Sequence, residues 1–117
     1  MGAEMVDFAA ADEVFHALSN PTRRKVLERL SAGPATVSEL AAPFDMQLPS
    51  FVQHLAVLER SRLVRSQKSG RVRTYEIAPE PLQVVEDWLT ARRRLWEARL
   101  DRFEQHIQKL KDKESQP

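Results

Sequence analysis

Apolar side chains recur along this chain at intervals of three and four residues, and the rhythm is lost only once, after Arg62. Phe8, Ala11, Val14, Phe15 and Leu18 place one apolar stripe on a first helix. Ser19-Asn20-Pro21 ends it: Asn20 is suited to cap the next helix, and Pro21 fits its first position, where a missing N–H costs nothing. The second helix turns Val26, Leu27 and Leu30 inward and Arg23, Arg24, Lys25 and Arg29 largely outward, and Gly33-Pro34 stops it. Thr36 with Glu39 has capping-box spacing, so a brief third helix carries Val37, Leu40, Ala41 and Phe44 on its buried face. After a break at Asp45-Met46, a fourth helix from Leu48 to Arg60 has Phe51, Leu55 and Leu58 as its core stripe. Ser50, Gln53, His54 and Val57 fall away from that stripe.

Beyond Leu63 two short apolar stretches, Leu63-Val64 and Val72 to Ile77, read as strands around a Lys68-Ser69-Gly70 turn. Pro79 and Pro81 then separate this core from a long final helix whose seam is Leu82, Leu89, Trp96, Leu100, Phe103, Ile107 and Leu110, interrupted by Glu86 and Arg93. Over residues 81 to 110 that helix is about 45 Å long, more than a small domain can cover. The expected fold is mainly α with a small β-hairpin, in a single domain over residues 1–117. Its core spans 8–79, its long helix 80–110 and a polar, frayed tail 111–117. The uncovered seam calls for a second copy of the chain, with Phe8 and Phe15 on the first helix and Leu89, Trp96, Leu100, Phe103 and Ile107 on the last as dimerisation residues.

Charge changes the picture through its distribution. The net value is only +1, yet Arg60, Arg62, Arg65, Lys68, Arg71 and Arg73 lie between Arg60 and Tyr75 with no acid among them, while residues 1 to 15 carry four acids and no base. A local positive field at the hairpin follows, and phosphate is the partner that fits it. With no cysteine in the chain, disulfides, thiolate metal sites and cysteine nucleophiles are excluded. No apolar run approaches a membrane span and no signal pattern opens the chain, so a cytoplasmic protein without membrane association is expected. The histidines are dispersed, and Ser50 and His54, one helical turn apart, have no accompanying carboxylate or oxyanion site, so the residues point away from an enzyme.

Three segments carry a family likeness. Phe15-His16-Ala17-Leu18-Ser19-Asn20-Pro21-Thr22-Arg23-Arg24 resembles the opening motif of the ArsR-type winged helix-turn-helix transcription regulators. Leu48-Pro49-Ser50-Phe51-Val52-Gln53-His54-Leu55-Ala56-Val57-Leu58-Glu59 resembles their recognition-helix signature, and Lys68-Ser69-Gly70-Arg71-Val72-Arg73-Thr74-Tyr75 their wing. The segments stand in the family's order, and the likeness extends over residues 8 to 110. It implies a winged helix-turn-helix that dimerises through its first and long last helices, binds double-stranded DNA as a homodimer at an inverted repeat, and acts as a repressor. Metal-sensing members carry cysteines on the third helix, where this chain has Thr36 and Ser38. Members with a site on the last helix use Asp and His pairs, for which only Asp101 and His106 offer themselves. The chain is similar to a cysteine-free branch, so no metal ligand and no cofactor is carried over, and an effector ligand is left unassigned.

Reading bases from the major groove needs short polar side chains near a helix N-terminus, and Gln47, Ser50, Gln53 and His54 meet that need. Gln53 can pair bidentately with adenine, and the alternative for all four is a plain solvent-facing position. His54 has the further alternative of a hydrogen bond inside the fold, and Val52 either packs on a thymine methyl or completes the core. Lys68, Arg71 and Arg73 on the thin ribbon suit phosphate or minor-groove contact. Arg23 and Arg24 at a helix start oppose the dipole preference for acids, so they either meet a phosphate there or pair with acids of the first helix. Trp88, Trp96 and Phe103 read as packing on an amphipathic helix rather than as a pocket lining. The competing functional class is an adaptor whose winged helix has lost DNA binding and whose seam holds a protein partner.

Overall fold

A computed structural model of the chain describes residues 8–115, with the side chain of Phe8 outside that description. Two units are distinguished, one ending at Val85 and one beginning at Glu86. In the first, helix α1 (Phe8–Leu18) is followed by α2 (Pro21–Leu30). The side-chain oxygen of Asn20 accepts from the backbone N–H groups of Thr22 at 2.9 Å and Arg23 at 3.2 Å, satisfying donors that an uncapped helix leaves orphaned. A two-residue strand β1 (Ala35–Thr36) leads into α3 (Val37–Ala41), and then come α4 (Leu48–Arg60), β2 (Val64–Ser69) and β3 (Val72–Ile77). Thr36 Oγ1 accepts from the Glu39 N–H while Glu39 Oε1 accepts from the Thr36 N–H, so both halves of the capping box form.

The strands form an antiparallel sheet in the order β1-β3-β2, rather than the expected hairpin alone. Ala35 pairs with Tyr75 and Thr36 with Thr74. Two residues give no periodic signal, which hides β1 in the sequence. The hairpin is also longer than the apolar stretches imply: β2 extends through Lys68 and Ser69, and the turn falls at Gly70-Arg71, with Ser69 opposite Val72. Gly70 has a φ of 63°, the positive value that a tight two-residue hairpin loop needs and a residue without a side chain adopts freely.

The core gathers Val14, Ala17, Val26, Leu30, Leu40, Phe51, Leu55, Leu58, Leu63, Val64 and Tyr75, with Val85 at its edge. Phe51, Leu55 and Leu58 anchor α4 there, each burial removing apolar surface worth roughly 1.5–3 kcal/mol from water. Val57, expected to face away, packs partly against this core, and Phe44 meets the Phe51 ring at 5.3 Å between centroids. Past α4, Arg62 takes a left-handed φ of 66°. Ser61 spans that turn, its hydroxyl donating to the Leu58 carbonyl at 2.7 Å and accepting from the Leu63 N–H at 3.2 Å.

Helix α5 (Leu82–Ser115) begins in the first unit and makes up the described part of the second. Its 34 residues extend it to about 51 Å, longer than the apolar seam implies. Gln108 donates to Asp112 at 3.0 Å, a one-turn bond of the kind that carries polar residues past 110 in helical form. Leu89, Leu95, Trp96, Leu100, Phe103 and Leu110 are exposed, Trp96 at 56% and Phe103 at 60%. Ile107 is half-buried, and the Arg92 guanidinium lies 5.1 Å from the Trp88 ring centroid. No described helix is long and apolar enough to cross a membrane.

Candidate nucleic-acid interface

The buried stripe of α4 determines which residues are left for a partner. With Phe51, Leu55 and Leu58 turned inward, Leu48, Pro49, Ser50, Val52 and Gln53 at its N-terminal half are exposed. Gln47 is the N-cap by position, yet its side chain makes no capping bond and stays at the surface. Gln47, Ser50 and Gln53 are therefore all available to a base edge. Exposed Val52 lies outside the core, which leaves it and Leu48 as apolar surface of the kind that meets a thymine methyl.

The ribbon is organised by its register. Arg65 stands opposite Glu76, and the two form an ion pair at 2.9 Å. On the other face Glu59 of α4 accepts from Ser66 Oγ at 3.2 Å, and Arg73 Nη1 donates to that same hydroxyl at 2.8 Å. Tyr75, buried beside them, has its phenol held above the ordinary value by burial, then by the Glu59 charge and a hydrogen bond to it, against a smaller opposing effect of Arg73. Acids just outside the basic run are thus folded back onto part of it. The side chains of Lys68 and Arg71 at the tip have no hydrogen-bond or ion-pair partner among the described residues, and Lys68 faces Arg73 directly across the strands. Like charges in that relation repel unless an anion lies between them.

Arg23 is the main correction to the expected site. It is 7% exposed, not outward-facing. Its Nε donates to the Ala17 carbonyl at 2.9 Å and its Nη2 to the His16 carbonyl at 2.7 Å, while Nη1 lies 3.0 Å from His54 Nδ1. Arg24 Nη1 donates to the Leu18 carbonyl at 2.7 Å. Both arginines thus satisfy the carbonyl end of α1, where a helix dipole favours cations, rather than a phosphate or an acid at the start of α2. A signal for this exists in the sequence: a helix start placed directly after a helix end exposes its side chains to both dipoles, and the carbonyl end of α1 attracts cations as strongly as the start of α2 disfavours them. His54 is half-buried and takes the inward hydrogen bond that was one of its alternatives. Burial and then the Arg23 charge hold its ring below the ordinary value of 6.5.

The dimerisation residues fall into separate groups. Phe15 on α1 is exposed at 38%, Leu89, Trp96, Leu100 and Phe103 are exposed on α5, and the side chain of Phe8 lies outside the described residues. Among the described residues no three His, Asp or Glu side chains cluster as metal ligands would.

A helix-turn-helix domain family matches residues 18–67. The HTH-type transcriptional regulator Rv2034 of Mycobacterium tuberculosis is 35% identical over 103 residues, covering 88% of this chain and 94% of its own. The transcriptional repressor SdpR of Bacillus subtilis is 32% identical, covering 67% of this chain and 87% of its own. Among solved structures, the crystal structure of an ArsR family transcriptional regulator, RHA00566, is 56% identical with a TM-score of 0.73, over 76% of this chain and 92% of that one.

Proposed function

This chain belongs to the ArsR-type winged helix-turn-helix transcriptional regulators, and from that membership we propose how it engages DNA. It is a DNA-binding repressor. Acting as a homodimer, it lays α4 in the major groove with Gln47, Ser50, Gln53 and His54 toward base edges, and sets Lys68, Arg71 and Arg73 of the ribbon on the flanking backbone. Arg23 acts behind that surface rather than on it. Two-fold symmetry then calls for an inverted repeat with half-sites about 34 Å apart. The exposed apolar positions of α5, with Phe15 of α1, supply the dimer contact, since an apolar seam of that length has no reason to face water.

The observation that carries the reading is the ribbon tip: Lys68 and Arg73 opposed across the strands, with Arg71 in the loop between them and no acid paired to any of the three among the described residues. Such a cluster is repulsive in isolation and attractive toward phosphate. Reversing charge at Arg71 and Arg73 together tests it. The expected outcome is loss of binding to a selected duplex at physiological salt while sedimentation still shows a dimer. Unchanged duplex affinity would overturn the assignment of the ribbon.

A further inference from the structure

The contact between Arg23 and His54 has a chemical direction. A guanidinium only donates, so His54 Nδ1, 3.0 Å from Arg23 Nη1, must be the accepting nitrogen and carry no proton. The single proton of the neutral ring then sits on Nε2. No buried side-chain nitrogen or oxygen among the described residues lacks a partner, and Nε2 makes no hydrogen bond to any of them, so Nε2 reaches solvent. It does so from the half of the ring turned away from Arg23, one helical turn beyond Ser50 and next to Gln53 on α4.

We propose that Arg23 is a positioning residue that fixes the tautomer of His54, making Nε2–H a donor-only reading group that selects guanine in the operator. On its major-groove edge guanine offers two acceptors, N7 and O6, and no donor, whereas cytosine offers only a donor, adenine one of each, and thymine a single acceptor crowded by its methyl group. A free histidine exchanges between tautomers and can accept as readily as donate, so it discriminates poorly. Locked from behind, the ring loses that ambiguity. Arg23 is in turn held by the carbonyls of His16 and Ala17, so the end of α1 orients a group on α4 through one guanidinium. The depressed proton affinity of the ring, caused first by burial and then by Arg23, agrees with a neutral side chain at physiological pH. Guanine selection rests on α4 being the base-reading helix, while the lock itself exists without DNA.

Two measurements on the full chain separate those layers. Nitrogen NMR of the free wild-type protein at neutral pH should show the His54 proton on Nε2 alone, and R23M should show both tautomers; a proton on Nδ1 in the wild type overturns the lock without reference to DNA. Selection from a random duplex pool should then return one position per half-site where guanine is preferred about tenfold. That preference should move toward adenine in H54Q, whose amide both donates and accepts, and should flatten in R23M. A part that merely joined α1 to α2 would lower the melting temperature without changing base preference. If R23M does not fold, the wild-type spectrum and the H54Q selection decide. Enriched duplexes with the same preference in wild type and H54Q overturn guanine selection by His54 and leave the regulator reading standing; no enrichment by folded wild type overturns both.

Discussion

At the scale of single residues, the polar side chains that matter most join elements rather than decorate them. Arg62 shows the cost of a turn without glycine. Its φ of 66° is disfavoured for a residue with a Cβ, and the Ser61 hydroxyl holds the turn from both sides. Arg62→Gly should therefore raise stability by about 0.5–1 kcal/mol, read as a shift in denaturation midpoint. His54 gives the opposite kind of signature. Its folded ring resists protonation, so its stabilising contribution is complete above 6.5. As pH falls below that value, the unfolded chain takes up a proton that the folded one does not, and stability drops until the folded pKa is passed. Melting curves from about pH 7.5 to 5 should show a steeper decline for wild type than for H54Q; parallel curves would mean the ring is not held neutral.

At the scale of elements, the helices and the hairpin were legible, and the third strand and the side-chain pairing across the sheet were not. The boundaries of α2 and α4 follow from Asn20-Pro21 and from the Phe51, Leu55, Leu58 stripe, because capping and amphipathic periodicity are local properties. Strand β1 and the partners of Arg73 and Arg65 are not local: they depend on register, which brings Glu76 and Glu59 onto a run of sequence that contains no acid. The same limit hid the contact of Arg23 with His54, 31 positions away. Register also ranks the ribbon's cations. Arg65 is neutralised by its neighbour, so Arg65→Ala should leave the salt dependence of binding nearly unchanged, whereas Arg71→Ala should lower the slope of log affinity against log salt by about 0.9 for each phosphate that Arg71 neutralises. Equal slopes for the two variants would contradict that ranking.

At the scale of the whole molecule, the buried core and the exposed apolar seam lie on different elements. The core around Phe51 belongs to the first unit, whereas the exposed seam belongs to α5. Replacing Trp96 and Phe103 together by glutamate should give a folded monomer by sedimentation, with affinity for an inverted repeat reduced at least about a hundredfold because two linked half-sites no longer act together. A dimer that survives this pair would place the interface elsewhere. Within the first unit, Thr36 has two duties: it closes the ladder of β1 against Thr74 and it caps α3. A wing that swung about β3 would have to drag the start of the helix-turn-helix with it. Ribbon and reading helix therefore behave as a fixed gauge, and an operator whose grooves do not fit that gauge must itself bend, so flexible base steps at positions no side chain touches should count toward affinity.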